Sequence, residues 1–414
     1  MSSHKPCSQL TLVQAISHIG TAQSEPAEAA IAPQGLLGAI CYGAQSLLDS
    51  QRSALPVRDC AVQYVATPPL GAAASGGQSC LWQLIYTDRS VRSGHARRIH
   101  FCMDGVFVFG VLELPRVCGR SGDLMRSAQG AYEEIFSFLS TLDSERPFKL
   151  WRVWNYIPDI HGEENELERY RQFNIGRLRA FTEHWAARSS MGHSLRELTR
   201  EIPASCGVGM IGPSPAVGLT VAFLASHLSF VQIENPRQIS AYHYPTDYGP
   251  SSPTFSRAVL GPTDCLSDRP CPYFLISGTG SIVGHRTVHG GDVAEQGRES
   301  LRNIEALVQQ ANKRFSASER KVVTMSELQY LVYLGSRATC SPWRRYCLTC
   351  WNLKQTFESS KQTFAEMIYS SRSKQACCQL RSRHEARSWL SPPLLTPSSS
   401  MRARLLACCR TAVR

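Results

Sequence analysis

The sequence predicts an α+β fold of two successive units, each made of strands followed by a helix that covers them. Two patterns support this prediction. Segments with alternating or continuous apolar residues, typical of strands, recur along the chain, and longer stretches carry apolar residues at helical spacing. The 414 residues, of which 43% are hydrophobic and 19% charged, suffice for a large core and for two or three domains.

Four regions are expected from these patterns. Residues 1–30 show little periodicity, which predicts a loosely ordered N-terminus. Residues 31–160 are expected to form the first α+β lobe, and residues 161–334 the second. Residues 335–414 are rich in Arg, Ser and Cys without a convincing strand or helix period, so an irregular tail is expected there.

In the first lobe, the alternating segment at 98–114, rich in Phe and Val, predicts a hairpin that turns near Asp104 and Gly105. The stretch at 131–142 predicts a helix, and the stretch at 149–160 predicts a buried strand. The apolar face of this helix comprises Ile135, Phe138, Leu139 and Leu142.

In the second lobe, a helix is expected at 164–185, and strands are expected at 206–212 and within 219–235. A long helix at 293–315 carries an apolar stripe that should pack on a sheet, and an apolar strand follows at 326–334. The stripe consists of Leu301, Ile304, Leu307, Val308, Ala311 and Phe315.

Charge and cysteine are concentrated in the tail. Residues 335–414 hold 14 basic and 3 acidic side chains, so their net charge of +11 equals that of the whole chain. The body is therefore neutral and gives no support for nucleic-acid binding. Seven of the 16 cysteines also lie there, without the spacing of a zinc site. With no long apolar run and no secretory signal, a cytoplasmic protein without a membrane partner is expected.

The first motif, NPRQISAYHYPTDYGP at residues 235–250, combines Arg237 with three tyrosines, and Arg257 follows it. An arginine fork with phenol donors suits a carboxylate, because charge-assisted bidentate hydrogen bonds are stronger than neutral ones. An alternative interpretation is that these side chains lie on a strand rim and satisfy one another. The tyrosines are Tyr242, Tyr244 and Tyr248.

The second motif, residues 277–299, begins SGTGS and offers backbone donors and hydroxyls where missing Cβ atoms allow a ligand to approach the main chain. It is not a dinucleotide fingerprint, because an apolar strand and not a helix follows the glycines. His285 and His289 lack a convincing third metal ligand. Neither a metal nor an organic cofactor is therefore expected.

Both motifs, together with the segment at 156–181, closely resemble the chorismatases, a family of chorismate hydrolases and 3-hydroxybenzoate synthases that includes bacterial enzymes of pigment and quinone biosynthesis. The resemblance is specific over residues 150–334 and weaker before them. It implies two lobes similar to YjgF/Rid-type subunits and an active site in the second lobe. It also implies removal of the enolpyruvyl group of chorismate as pyruvate without a cofactor.

The resemblance also implies roles for individual residues. Arginines and phenols of the motifs would anchor the two carboxylates of chorismate. Gly280 is similar to the synthase branch, where the hydrolases usually have alanine, and would leave room for internal attack on the ring. The substrate-binding residues so implied are Arg237, Tyr242, Tyr248, Arg257, Gly278, Thr279, Gly280 and His285.

The sequence departs from the family after Leu334, where the helix and the strand carrying the glutamate that is thought to protonate the vinyl ether are absent. Reading the third base of each codon with the first two of the next, residues 334–357 can encode RQPRDLLPVAALLSHMLEPEADF, and residues 360–375 can encode KADICRNDLLVEIEA. These family-like segments indicate a frameshifted tail. The missing glutamate falls across the codons of Ser371 and Arg372, and a missing cysteine across those of Phe364 and Ala365.

The sequence therefore predicts a chorismatase-type enzyme that forms 3-hydroxybenzoate and pyruvate from chorismate, its substrate partner, with activity impaired by the missing acid. Whether 4-hydroxybenzoate is also formed is left open. Alternatives are a non-catalytic chorismate-binding or interaction protein, a chorismate hydrolase, and a Rid-like imine deaminase. The oligomeric state is also left open, and a monomer with two pseudo-equivalent lobes agrees with the pattern.

Overall fold

The computed structural model describes most of the body and two segments of the tail. Within the described residues the chain forms three main sheets and three long helices. None of these helices combines the length and the apolar character needed to cross a membrane. The described residues are 10–18, 35–44, 48, 60–67, 79–115, 123–190, 192, 199–210, 217–262, 273–314, 323–335, 346–350 and 405–411.

Sheet 1 is built from the N-terminal part of the chain. Its strands are β1 (Leu10–His18), β2 (Gly35–Gly43), β3 (Val62–Ala66) and β4 (Ser79–Thr87), in the order β1-β4-β2-β3. The expectation of a loosely ordered N-terminus is wrong for residues 10–18, because β1 pairs with β4 along its whole length. Buried Leu10 and Leu12 anchor the strand in the core.

Sheet 2 and two helices form the next layer. Strands β5 (Arg92–Ala96), β6 (Ile99–Met103) and β7 (Phe107–Pro115) lead into helix α1 (Asp123–Leu142) and β8 (Lys149–Pro158). A small ribbon, β9 (Glu163–Glu164) and β10 (Leu167–Glu168), precedes helix α2 (Arg169–Ser190), β11 (Ala204–Met210) and β12 (Val217–Ser226). The strand order is β11-β8-β12-β7-β6-β5, and both helices pack on the outer face.

Most sequence predictions for this layer are confirmed. The hairpin turns at Asp104, whose Oδ1 accepts the N–H groups of Val106 and Phe107 at 2.8 and 2.7 Å, and Gly105 adopts φ of +85°. Helix α1 starts earlier than expected, and α2 begins after Leu167 instead of including it. The predicted lobe boundary at residue 160 falls inside this sheet, because β8 pairs with β11 and β12 beyond it.

Sheet 3 has the order β13-β14-β15-β20-β18-β19 and contains the strand expected at 326–334, whereas the strands expected at 206–212 and within 219–235 lie mainly in sheet 2, as β11 and β12. Helix α3 (Val293–Arg314) covers the outer face of sheet 3 with Ile304, Leu307, Val308 and Ala311, as the sequence predicts. Its strands are β13 (Val231–Ile233), β14 (Ala258–Gly261), β15 (Tyr273–Thr279), β18 (Leu328–Gly335), β19 (Tyr346–Cys350) and β20 (Leu405–Thr411), and a ribbon of β16 (Ile282–Val283) and β17 (Arg286–Thr287) follows β15.

The tail departs from the expectation of irregular structure at two places. Strands β19 and β20 both come from residues after Leu334, and β20 lies in the middle of sheet 3, between β15 and β18. The backbone of β15 and β18 offers hydrogen-bonding groups that any extended segment can pair. Residues 346–350 and 405–411 are extended, and the rest of the tail lies outside the described residues.

The inner faces of the three sheets share one core. At its centre the Tyr42 hydroxyl donates to Gln83 Oε1 at 2.9 Å and lies 2.9 Å from the Tyr156 hydroxyl and 3.0 Å from the Tyr333 hydroxyl. Tyr42 belongs to sheet 1, Tyr156 to sheet 2 and Tyr333 to sheet 3, and all three rings are buried. We call these three residues the tyrosine hub.

Replacing Tyr42 with Phe should lower the free energy of unfolding by about 1–3 kcal/mol, because polar groups of all three sheets lose a buried partner. Urea denaturation measures the difference. Tyr86→Phe, which removes a half-buried hydroxyl from β4, should cost less than about 0.5 kcal/mol. Equal losses in the two variants would contradict a special role for the hub.

Candidate active site

The two motifs lie side by side in the structure. The Gly284 N–H donates to the Arg237 carbonyl at 2.8 Å, and the Ile239 N–H donates to the Gly284 carbonyl at 2.9 Å. Gln238 adds a side-chain hydrogen bond to the Ile282 carbonyl at 3.1 Å. The tip of the β16–β17 ribbon is thereby fixed against the first motif.

Arg257, just before β14, is the buried cation of this region. Its Nη2 donates to the Ile239 carbonyl at 2.6 Å and to the Tyr244 hydroxyl at 2.9 Å. The guanidinium also lies 5.5 Å from the ring centre of Tyr244 and 5.4 Å from that of Phe255. Its Nε is buried and finds no acceptor among the described residues. Burying a charge without a carboxylate is costly, which makes this guanidinium a candidate anion-binding group.

Arg177 on α2 is a second buried cation at the same place. It is 2% exposed, donates from Nη2 to Asn174 Oδ1 at 2.9 Å, and lies 5.9 Å from the ring centre of Phe255. In the part of the chain that the structure describes, neither Arg177 nor Arg257 forms a salt bridge. Sequence reasoning missed Arg177, although a cation beside Phe173, Gly176 and Phe181 on one helical face was a signal.

An aromatic array connects Arg257 with the surface. The rings of Tyr244 and Tyr248 are 5.2 Å apart, and Tyr248 meets His285 edge-on at 5.4 Å. The Tyr248 hydroxyl lies 3.0 Å from His285 Nδ1, and Tyr248 is 37% exposed. The structure therefore brings together Tyr248, His285 and, through Tyr244, Arg257.

Glu234 is an acid that sequence reasoning missed. Its Oε1 accepts the backbone N–H of Arg257 at 3.2 Å, while Oε2 is buried and has no hydrogen-bond partner within the described segments. Burial raises the pKa of Glu234 above its usual value, although Ser240 and Arg257 oppose the shift. Burial also raises the pKa of Tyr242, and the Glu234 charge adds to this increase. A carboxyl that holds its proton more tightly suits a hydrogen-bond or proton donor.

Arg237 is engaged differently from the expectation. Its guanidinium donates to Glu299 on α3, and Glu299 also accepts from Arg302 at 2.8 Å and lies 3.6 Å from His289 Nε2. Burial alone would raise the pKa of Glu299, but the Arg302 hydrogen bond and the Arg237 charge outweigh it and lower the pKa. We call these four residues the Glu299 cluster; it ties both motifs to α3.

The glycine-rich segment is mostly strand. Gly278 and Thr279 belong to β15, and the Thr279 hydroxyl donates to the Ser277 carbonyl at 2.9 Å. The turn begins at Gly280, whose carbonyl accepts from Asn303 at 3.1 Å and from the Ile282 N–H at 2.9 Å. Some backbone carbonyls of this segment therefore accept hydrogen bonds from within the protein itself. The family's acid and cysteine are expected at positions that lie outside the described residues, namely Ser371, Arg372, Phe364 and Ala365.

The chain matches a family model described as "Chorismatase FkbO/Hyg5-like, N-terminal" over residues 83–225. It is 34% identical over 227 residues to a 3-hydroxybenzoate synthase of Streptomyces hygroscopicus, covering 55% of this chain and 60% of that protein. It is 32% identical over 265 residues to a chorismatase of the same organism, covering 63% of this chain and 69% of the relative. The chain thus spans less than two thirds of the synthase.

The fold is also similar to a solved structure. A chorismatase crystal structure at 1.08 Å resolution superposes with a TM-score of 0.60 and 26% sequence identity, and the match covers 79% of this chain and 86% of that one. The α+β class predicted from the sequence is confirmed by this likeness. The range predicted as the first lobe contributes strands to two sheets, sheet 1 and sheet 2.

Replacing Glu299 with Gln should lower the free energy of unfolding at about pH 7 by about 1.5–3 kcal/mol, because the Glu299 cluster loses its only carboxylate. Since the pKa of Glu299 is lowered by folding, its contribution is present above the usual value of 4.5 and is lost as the pH falls through the lowered value. Urea denaturation at about pH 7 and about pH 3.5 should show the difference shrinking.

The matched control is Glu295→Gln, which removes a partly exposed i,i+3 pair with Arg298 from the same helix. Its expected cost is at most about 1 kcal/mol. If the loss of unfolding free energy in Glu299→Gln were the same at both pH values, the destabilisation would come from the shape of the amide and not from the lost charge.

Proposed function

The chain belongs to the chorismatase family, and we propose that it acts on chorismate, giving 3-hydroxybenzoate and pyruvate. The relatives named 3-hydroxybenzoate synthase and chorismatase support this proposal. The atoms of chorismate equal those of one hydroxybenzoate and one pyruvate, so the reaction consumes no water. Gly280, at the turn after β15, carries no side chain and would therefore leave room for such an internal reaction, as the resemblance to the synthase branch implies.

The observation that carries the proposal is the pair of buried arginines at Phe255. Arg257 and Arg177 lie 5.4 and 5.9 Å from its ring centre, and neither guanidinium forms a salt bridge with a carboxylate in the described chain. Chorismate carries two carboxylates, and a buried guanidinium favours such an anion strongly because water does not compete there. Around this pair we place the other contacts to substrate: Arg237, Tyr242, Tyr248, Gly278, Thr279, Gly280 and His285.

The reaction also needs an acid that protonates the methylene carbon of the enolpyruvyl group. The glutamate that the family uses is missing from the chain as written, so the proposed site holds substrate without its usual proton donor. Glu234, beside Arg257, is a carboxyl whose pKa is raised by burial. It is a second source of the proton if the tail supplies none.

Arg257→Lys should weaken chorismate binding about 10- to 100-fold, because a lysine cannot offer the planar pair of donors that a carboxylate accepts. Isothermal titration calorimetry measures the dissociation constant. Arg298→Lys, at a partly exposed arginine paired with Glu295, should leave binding unchanged. Binding that survives Arg257→Lys unchanged would remove this arginine from the site.

The chain should release pyruvate about 10²- to 10⁴-fold more slowly than a chorismatase with its acid, since a general acid contributes that factor. A lactate-dehydrogenase-coupled assay with chorismate measures the rate. Turnover at the usual rate of the family, abolished by Glu234→Gln, would instead assign the proton to Glu234. Tight binding without any turnover would favour a non-catalytic chorismate-binding protein.

A further inference from the structure

Sheets 1 and 2 share one strand arrangement. In sheet 1, β4 runs antiparallel to both β1 and β2, and the edge strand β3 runs parallel to β2. In sheet 2, β12 runs antiparallel to both β7 and β8, and the edge strand β11 runs parallel to β8. In each case the last strand in sequence is inserted between two parallel strands that were formed earlier.

Sheet 3 repeats the same framework up to β18. Strands β13, β14 and β15 form an antiparallel meander like β5, β6 and β7. A helix follows, and β18 then runs parallel to β15, as β8 does to β7. The tyrosine hub supports the equivalence, since its members lie on the corresponding strands β2, β8 and β18.

The two tail strands break this pattern in direction. Strand β20 fills the position of β12 but runs parallel to both of its neighbours, and β19 fills the position of β11 but runs antiparallel to β18. Both strands are therefore reversed relative to their counterparts. The reversal is confined to residues after Leu334, because every strand pairing before that point follows the shared arrangement.

Chain connectivity points the same way. Strands β11 and β12 lie on either side of β8, run in opposite directions and are separated by only six residues, whereas 54 residues separate β19 from β20. In sheet 2, helix α2 lies between β8 and the parallel strand β11, as parallel neighbours require a crossover. Strands β18 and β19 are antiparallel and separated by ten residues.

We propose that sheet 3 is built for a strand pair running opposite to β19 and β20: an edge strand parallel to β18, then a short turn, then a last strand antiparallel to β15 and β18. The codons possible for residues 334–375, read in the other frame, can encode this sequence of elements. RDLLPVAALLSHML carries apolar residues at helical spacing and corresponds to α2. KADIC and LLVEIEA, separated by RND, correspond to β11 and β12. The strand directions of sheet 3 are the same whether or not the chain acts on chorismate.

The first experiment compares three chains: the present chain, a chain ending at Gly335, and the chain produced when one base inserted at the Leu334 codon restores the other frame. Hydrogen exchange of β15 and β18, followed by mass spectrometry, measures how firmly the sheet is paired. We expect exchange at least about tenfold slower in the restored chain than in the present one, and similar exchange in the present and shortened chains.

Several outcomes would overturn the proposal. They are equal protection of the present and restored chains, failure of the restored chain to fold, and loss of folding on removing the tail. The pyruvate assay on the restored chain separates this inference from the proposed function. If the restored chain exchanges more slowly but releases no pyruvate, the strand assignment stands and the proposed activity on chorismate is wrong.

A pair of proline variants gives a second test within the present chain. Ala407 in β20 and Ala222 in β12 both lie in the inserted strand of their sheets, paired on two sides. Proline removes a ladder hydrogen bond and is not tolerated in a central strand that the fold depends on. We expect Ala222→Pro to abolish cooperative unfolding and Ala407→Pro to leave the melting temperature unchanged. A large fall in melting temperature for Ala407→Pro would show that β20 belongs to the native sheet.

Discussion

The tyrosine hub constrains the rest of the structure. Three sheets turn their inner faces towards one core, and the Tyr42 hydroxyl is the point where a polar group from each of them meets. Hydroxyls buried away from water must satisfy one another, and an unpaired one costs about 1–3 kcal/mol. A shift of the sheets relative to one another would break this contact, so the hub helps to hold all three sheets in place, together with the hydrogen bonds that join them in pairs.

The candidate site lies at the seam between sheets 2 and 3. The Ser205 N–H of β11 donates to the Ser277 hydroxyl of β15 at 2.8 Å, and the Ser256 N–H donates to the Pro203 carbonyl at 3.0 Å. This seam brings Arg177 of sheet 2's helix and Arg257 of sheet 3 to the same aromatic ring. Two buried guanidinium groups that form no salt bridge within the described residues add little to stability, which is the reason for the anionic ligand proposed above.

Local patterns predicted the elements of the body well, because each depends on residues close in sequence. The Asp104–Gly105 turn, α1 and the apolar stripe of α3 are of this kind. Sheet 1 was not anticipated, since β1 acquires its strand partner from β4, some 70 residues later. The sequence motif named Arg257 and its tyrosines as candidate site residues, because they lie close together in the sequence. The surroundings of Arg177 and Glu234 are formed by tertiary neighbours, which the sequence does not show. Arg237 shows the converse, because its engagement with Glu299 depends on how α3 packs.

The reversed strands show why a sheet can accept a segment that its sequence was not made for. Backbone N–H and C=O groups are the same for every residue, so the gap between β15 and β18 can be paired by a strand of either direction. Reversal, however, changes which side chain stands at each position. The arginines and tyrosines of the site come from before Leu334 and keep their places. A proton donor carried by the inserted strand would depend on residue identity, which a substitute that only completes the ladder does not provide.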